Sequence, residues 1–342
     1  MEGSEESRGD SVAVSTQDAV SERSHAASAV EAVLRWNALS TSLAPALVPP
    51  GFLLPWTESR YGAITNVAVH DALNGVRQRY ARYADQGDTY RNANATAAAI
   101  SAGFNSIAGV IPAAALAPAT AAYDADIAAL RAQRASGIYD GIAVGKRAAE
   151  AVLARRVGDG VDHPDGPYVP GSDPGDCRFI APFNGPPFDL FGTGGVFFGN
   201  LIGNARPFVI RSSTQFDAWE TARLLALVQL AAFDSYVASL ESKNHCSVWR
   251  PVTAVELAAT YGNPATATKA GWQALGAPTP PTPDYPSGHS SAGGAAAAVI
   301  DLLVPRKHQS LDLTSTTLTG VTRHFNNAWT AARENANSRV LV

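Results

Sequence analysis

Alanine dominates this chain, apolar residues recur at three- and four-residue spacing, and runs of β-branched residues are scarce. Alanine has the highest intrinsic helix propensity, and a 3.6-residue apolar period buries one helix face, so the pattern predicts an all-α fold. The chain has 342 residues, which at roughly 150 residues per domain means one large domain or two closely packed ones. Hydrophobic residues make up 46% and charged residues 16%, enough apolar side chain for a sizeable core and too much for wholesale disorder. The formal net charge is −4 and no basic run stands out, which makes nucleic acid and anionic membrane poor partners. Cys177 and Cys246 form at most one bridge, neither a disulfide framework nor a cysteine-based zinc site.

Met1–Ser28 is rich in Ser, Glu and Ala and lacks the apolar core of a signal peptide, so it reads as a disordered tail. The uncharged stretch between Arg91 and Asp124 is broken by Pro112 and Pro118, and Ala295–Val304 is short and carries Asp301. Neither reads as a membrane span, and a cytoplasmic protein is the expectation. The sequon at Asn94 then has no role. Helices are predicted at about 29–39, 60–83, 93–110, 117–135 and 139–157, giving an N-terminal bundle over 29–157. The stretch 158–212, dense in Gly, Pro and Phe, reads as an ordered excursion packed on the helices. A C-terminal bundle over 213–342 follows. It starts from a cap at Thr214 with Asp217 three residues on, with helices over 216–240, 251–261, 290–304 and 317–339. Gly and Ala at 292–298 let a neighbour pack close to the third of these. No internal repeat is evident.

Three segments concentrate polar groups. Lys243 and Arg250 are seven residues apart, with Pro251 next. They share one face if the segment is helical, or meet at a corner if Pro251 opens a new helix. Two adjacent cations repel, burial raises the cost, and an anion between them removes the penalty. By itself the pair also reads as a solvated helix end. Tyr285-Pro286-Ser287-Gly288-His289 leads into a helix, whose N-terminus offers unpaired N–H groups and a positive dipole end. Ser287 adds a hydroxyl, Gly288 allows close approach, and His289 exchanges a proton near neutrality. A plain loop before a helix is the alternative. Asn337-Ser338-Arg339 closes the last predicted helix, where an arginine also serves as dipole complement.

Lys-x6-Arg-Pro, then Pro-Ser-Gly-His, then Ser-Arg, in that order, resembles the type 2 phosphatidic acid phosphatase/vanadium-dependent haloperoxidase superfamily, most closely its soluble haloperoxidase-like branch. Trp36-Asn37-Ala38 through Val69-His70-Asp71-Ala72-Leu73-Asn74 look like its N-terminal helices, and Asp234 to Pro251 and Arg333 to Arg339 look like its core. The resemblance implies two packed helical bundles with the anion site in the C-terminal one. It implies that Lys243, Arg250 and Arg339 hold the equatorial oxygens of phosphate or vanadate, that Ser287 and the Gly288 amide add hydrogen bonds, and that His289 is the acid–base group. Lys243 and His289 are the implied catalytic residues and vanadate the implied cofactor. Peroxide and halide are then the small-molecule partners, with homo-oligomerisation open. A bound vanadate and a five-coordinate phosphoryl transition state share one shape and charge distribution, so one cradle serves either.

The family's third motif continues to a histidine six residues after the arginine, which is position 345 here, beyond Val342. This histidine is the vanadate ligand, or the phosphoryl acceptor in the phosphatases. The expectation is therefore a fragment that binds oxyanions weakly and turns over poorly. A soluble acid phosphatase working through phosphohistidine, and a non-catalytic fragment, are the alternative readings. Among other residues, His70-Asp71 reads as a hydrogen-bonded helix contact, Asp162-His163-Pro164-Asp165 as a turn, and Cys246 as a small core residue. His324 is placed on the final helix in a structural role. His245 and Trp249 could line the pocket, Trp249 stacking on a guanidinium, and Asp284-Tyr285 could shape its entrance.

Overall fold

The structure, a computed structural model, describes residues 28–47, 54–161, 165–201, 217–274, 278–304, 309–314 and 320–340. The predicted tail up to residue 27, Thr214, Val342 and the 162–164 part of the Asp-His-Pro-Asp segment lie outside these residues. The first half holds α1 (Ala29–Leu43), α2 (Pro55–Val76), α3 (Ala95–Ala108), α4 (Ala117–Ala132) and α5 (Ile138–Arg156). Local chemistry sets their starts. The Ser28 hydroxyl accepts the Glu31 N–H at 3.2 Å, the Asn94 side chain accepts the Ala97 N–H at 2.9 Å, and Pro55 opens α2.

Helix α2 is the axis of this half, buried on every side from Tyr61 to Val76. A helix shielded all round must satisfy its own polar side chains. The Asp71 carboxylate accepts the N–H groups of Tyr83, Ala84 and Asp85 at 2.7, 2.7 and 3.0 Å, pinning the following loop to the helix. His70 Nε2 lies 3.1 Å from the Ala81 oxygen, so the His-Asp pair is a helix-to-loop fastening. Beneath it, Asp159 sits between Arg60 Nε at 2.7 Å and Arg156 Nε at 2.8 Å, its side chain fully buried. Helices α3 and α5 cross closely because Gly145 presents no side chain: a Cβ there would strike the Ala98 carbonyl.

The second half holds α6 (Ala218–Cys246), α7 (Pro251–Glu256), α8 (Gly288–Leu303) and α9 (Ala328–Asn337). The capping pair of α6 is Asp217 with Glu220, each side chain taking the other's main-chain N–H, one step on from the expected Thr214–Asp217. The expected helix over 317–339 is shorter. An antiparallel hairpin of β1 (Leu311–Thr314) and β2 (Thr322–Phe325) precedes it, and Asn327 caps α9. Threonine and phenylalanine favour extended backbone, and here they override the helical reading. His324 therefore lies on an exposed strand opposite Asp312, its Nδ1 2.5 Å from that carboxylate. With this hairpin the fold remains mostly helical.

One apolar core runs from Ala32 to Leu303. Helix α2 packs on α6, α6 on α8, and α8 on α9. By length and composition α6 could cross a membrane. Leu227, Leu230, Phe233, Val237 and Leu240 of α6 are buried within the core. The described part of the excursion, 165–201, has no helix or paired strand but is knitted by aromatic contacts. The ring centres of Tyr168 and Phe197 are 4.4 Å apart, those of Phe179 and Phe197 5.0 Å, and those of Phe183 and Phe188 4.9 Å. Both cysteines are free, and it is Cys177 that is buried. Cys246 is exposed in the last turn of α6, which corrects its reading as a core residue.

Candidate functional site

Helix α6 delivers Lys243 in its last turn and ends at Ser247, which adopts left-handed backbone (φ 47°) and donates its N–H to the Lys243 oxygen at 2.8 Å. The chain then extends to Arg250, the residue preceding Pro251 at the start of α7. Lys243 and Arg250 thus flank a corner, the second of the two geometries open from sequence. Main-chain bonds clasp that corner from both sides. The Cys177 N–H donates to the Ser247 oxygen at 2.9 Å, the Trp249 N–H to the Gly175 oxygen at 3.0 Å, and the Asp284 N–H to the Val248 oxygen at 2.8 Å. The Tyr168 hydroxyl adds a contact to Ser247 Oγ at 2.6 Å. The Gly/Pro/Phe-rich excursion backs the cation corner directly.

The proline-rich segment before Ser287 holds both cations in place. Buried Lys243 donates through Nζ to the Pro283 oxygen at 2.6 Å and the Asp284 oxygen at 2.8 Å. Arg250 donates through Nε to the Thr282 oxygen at 2.7 Å, through one terminal nitrogen to Thr282 Oγ1 at 2.7 Å, and through the other to the Asp284 carboxylate at 3.2 Å. An ammonium has three N–H donors and a guanidinium five, so one and two remain beyond these bonds. Burial and the neighbouring Arg250 push the Lys243 ammonium down to about 8, against the opposing pull of Asp284. Burial also lowers the pKa of Arg250, with Arg339 contributing in the same direction.

Ser287 caps α8. Its oxygen accepts the Ser290 N–H at 3.3 Å and the Ser290 hydroxyl at 3.0 Å, which leaves its own O–H as a donor. Gly288 opens the helix, and its amide is one of the first-turn N–H groups without an intrahelical acceptor. A Cβ on Gly288 would stand 3.1 Å from the Tyr236 ring and 3.2 Å from Ser239 Oγ, so glycine lets the helix start seat closely against α6. His289 lies at the solvent edge, edge to face with Tyr236. The protein packed around the imidazole, and then Arg339, Lys243 and Arg250, hold its pKa below the ordinary histidine value. Three cations from two chain segments therefore act on one ring. Arg339 lies in the turn just after α9, its Nε 3.2 Å from Ser338 Oγ. Asn335 ties that helix to the site by donating to the His289 oxygen at 2.8 Å.

The arrangement offers cations, a hydroxyl and a helix-start amide to a small multiply charged oxyanion, with an imidazole beside it to exchange a proton. Among the described residues no group of three or more His, Cys, Asp or Glu could hold a metal cation. Other candidates lie differently. His245 is exposed in the last turn of α6. Trp249 packs on Tyr261, ring centres 4.7 Å apart. Asp165 accepts the Gly199 N–H at 2.6 Å, closing the excursion on itself. Tyr285 is exposed, whereas Asp284 reaches both cations. The sequence reading passed over Tyr236, Thr282 and Asn335. Tyr236 was within reach of it, since it precedes Lys243 by seven residues, two helical turns on the same face.

Residues 223–342 match the family model described as the VCPO second helical-bundle domain. Vanadium chloroperoxidase of Curvularia inaequalis is 29% identical over 168 residues, covering 35% of this chain; the match spans 27% of that relative's length. The fold is similar to a bacterial vanadium-dependent iodoperoxidase, with a TM-score of 0.67, 16% identity, and 90% of this chain and 88% of that one covered. It is also similar to a bacterial vanadium-dependent chloroperoxidase in its holo form, with a TM-score of 0.57, 16% identity, and 89% and 90% covered. The C-terminal third of the chain is thus similar in sequence to the second helical-bundle domain of vanadium chloroperoxidases, and the chain as a whole shares the helical architecture of the bacterial vanadium-dependent haloperoxidases.

Proposed function

We propose that this chain carries the oxyanion-binding and acid–base residues of a vanadate-dependent haloperoxidase-like active site, which oxidises halide with hydrogen peroxide. The observation that carries the reading is that Lys243 and Arg250 are both bonded to the Thr282–Asp284 stretch that runs into Ser287-Gly288-His289, while Asn335 ties the helix before Arg339 to His289. The donor set fits vanadate. It is cationic and rich in N–H and O–H groups; burial and Arg250 lower the Lys243 pKa, and burial and Arg339 lower that of Arg250, a penalty that an oxyanion relieves. Lys243, Arg250 and Arg339 would hold vanadate by charge, and Ser287 and the Gly288 amide by hydrogen bonds. Bound vanadate supplies the centre at which peroxide is activated toward halide.

The chain's own residues do the rest. The Thr282–Asp284 carbonyls and the Thr282 hydroxyl fix both cations before any guest arrives, so their charge is preorganised. His289, its basicity held down by its cationic neighbours, is neutral near pH 7 in the free site and takes up a proton once an anion offsets those charges. The proposed partners are peroxide and halide, in a cytoplasmic protein.

The test is a paired assay of the protein: bromide oxidation with orthovanadate and peroxide, against hydrolysis of a phosphate monoester without vanadate. Vanadate-dependent halogenation supports the reading. Ester hydrolysis that vanadate inhibits, with no halogenation, replaces it by the phosphatase.

A further inference from the structure

One residue touches both cations of the corner from different atoms. Asp284 accepts the Lys243 ammonium on its main-chain oxygen at 2.8 Å, and it accepts Arg250 on its carboxylate at 3.2 Å. Its own N–H donates to the Val248 oxygen at 2.8 Å, midway along the corner. The main-chain contacts position the cations and carry no net charge. The carboxylate does something else. It places a negative charge beside the guanidinium and occupies one of its N–H donors. Its side chain is 41% exposed against 17% for Arg250, so the ion pair sits at the pocket's solvent edge.

We propose that Asp284 is a specificity-determining residue, whose carboxylate sets how strongly the pocket discriminates between singly and doubly charged tetrahedral oxyanions. This rests on the oxyanion-site reading above. A fixed negative charge repels a guest in proportion to the guest's charge, so it penalises a dianion twice as much as a monoanion. With three cations and no counter-charge, the pocket would hold dianions tightly and release them slowly. Asp284 moderates that grip while its backbone keeps Lys243 and Arg250 in register.

The test uses two tetrahedral anions whose charge is constant through the neutral range, perrhenate (one charge) and sulfate (two). Their affinities are measured by calorimetry at low salt for the wild-type chain, Asp284→Asn and Asp284→Glu. The expected result for Asp284→Asn is a sulfate-to-perrhenate affinity ratio raised about threefold, a partly screened charge-charge effect at the pocket edge. Asp284→Glu restores the wild-type ratio. A merely structural role lowers both affinities together and leaves the ratio fixed, which overturns the proposal. Asp284→Ser is a second neutral variant should the Asn variant not fold; if neither folds, the residue is structural and the proposal fails. Wild-type protein that binds neither sulfate nor vanadate removes the proposed function and this inference together. Wild-type protein that binds both, with a ratio that no substitution moves, removes this inference alone.

Discussion

Tyr236 meets His289 edge to face, ring centres 6.5 Å apart and planes at 83°, and Gly288 packs closely against the same ring at the start of α8. The phenol ring is therefore a wall against which the imidazole and the helix-start amide are both placed. Gly288→Ala puts a methyl group 3.1 Å from that ring and 3.2 Å from Ser239 Oγ. The expected outcome is a stability loss of ~1–3 kcal/mol from overpacking, read in thermal melts, together with weakened sulfate binding. An unchanged melting point with full anion affinity would show that the seat is not tight.

The pH dependence of anion binding follows from the two depressed pKa values. Lys243 is charged below about 8 and neutral above it, so sulfate affinity falls as pH rises through 8. His289 titrates below its ordinary value of 6.5 in the free site, so protonation on the acid side adds affinity. By linkage, sulfate must in turn raise the His289 pKa. NMR titration of the imidazole with and without sulfate checks the sign. Lys243 also makes folding stability rise with pH from about 8 toward the free-lysine value, because the unfolded chain binds more protons there; Lys243→Met abolishes that rise.

Arg250→Lys keeps the charge and loses the fork. Arg250 fixes itself through three separate nitrogens on Thr282 and Asp284, and an ammonium is a point charge that cannot reproduce them. Sulfate affinity is expected to fall at least about tenfold, which is ~1.4 kcal/mol. Calorimetry giving an affinity within twofold of wild type would count against the preorganised geometry.

Stability and site are separable at Asp159. Its carboxylate is fully buried between Arg60 and Arg156, and removing one partner of such an arrangement costs ~3–5 kcal/mol. Asp159→Asn is expected to lower the melting point strongly, while the protein that remains folded binds sulfate as before. Urea unfolding and calorimetry on the same preparation measure both.

The helical architecture was legible because alanine content and apolar spacing act locally, and the structure departs from that reading where β-branched or aromatic residues take over. Thr322 to Phe325 form a strand for this reason, and His324 moved from a helix to a hairpin. The motif residues were legible by type and order. What the sequence did not carry was how the cations are held. The Lys243 partners are carbonyls of Pro283 and Asp284, and main-chain groups have no signature in residue identity. Arg250 binds Thr282 across a sequence separation of 32, a pairing no local pattern announces. Asp217 rather than Thr214 caps α6 because the reciprocal bond needs a Glu three residues on, and Glu220 supplies it.

The excursion grips the Ser247 corner through the amide of Cys177 and the carbonyl of Gly175, and it reaches the proline-rich segment through the Phe198 N–H, 3.1 Å from the Pro281 oxygen. Backbone atoms are common to every residue, so this grip is blind to composition and sensitive to spacing. At Cys177, Gly175 and Phe198 it is therefore the place of the residue in the chain, more than its side chain, that makes these three bonds. A single inserted or deleted residue between Gly175 and Phe198 shifts one handhold out of step with the other.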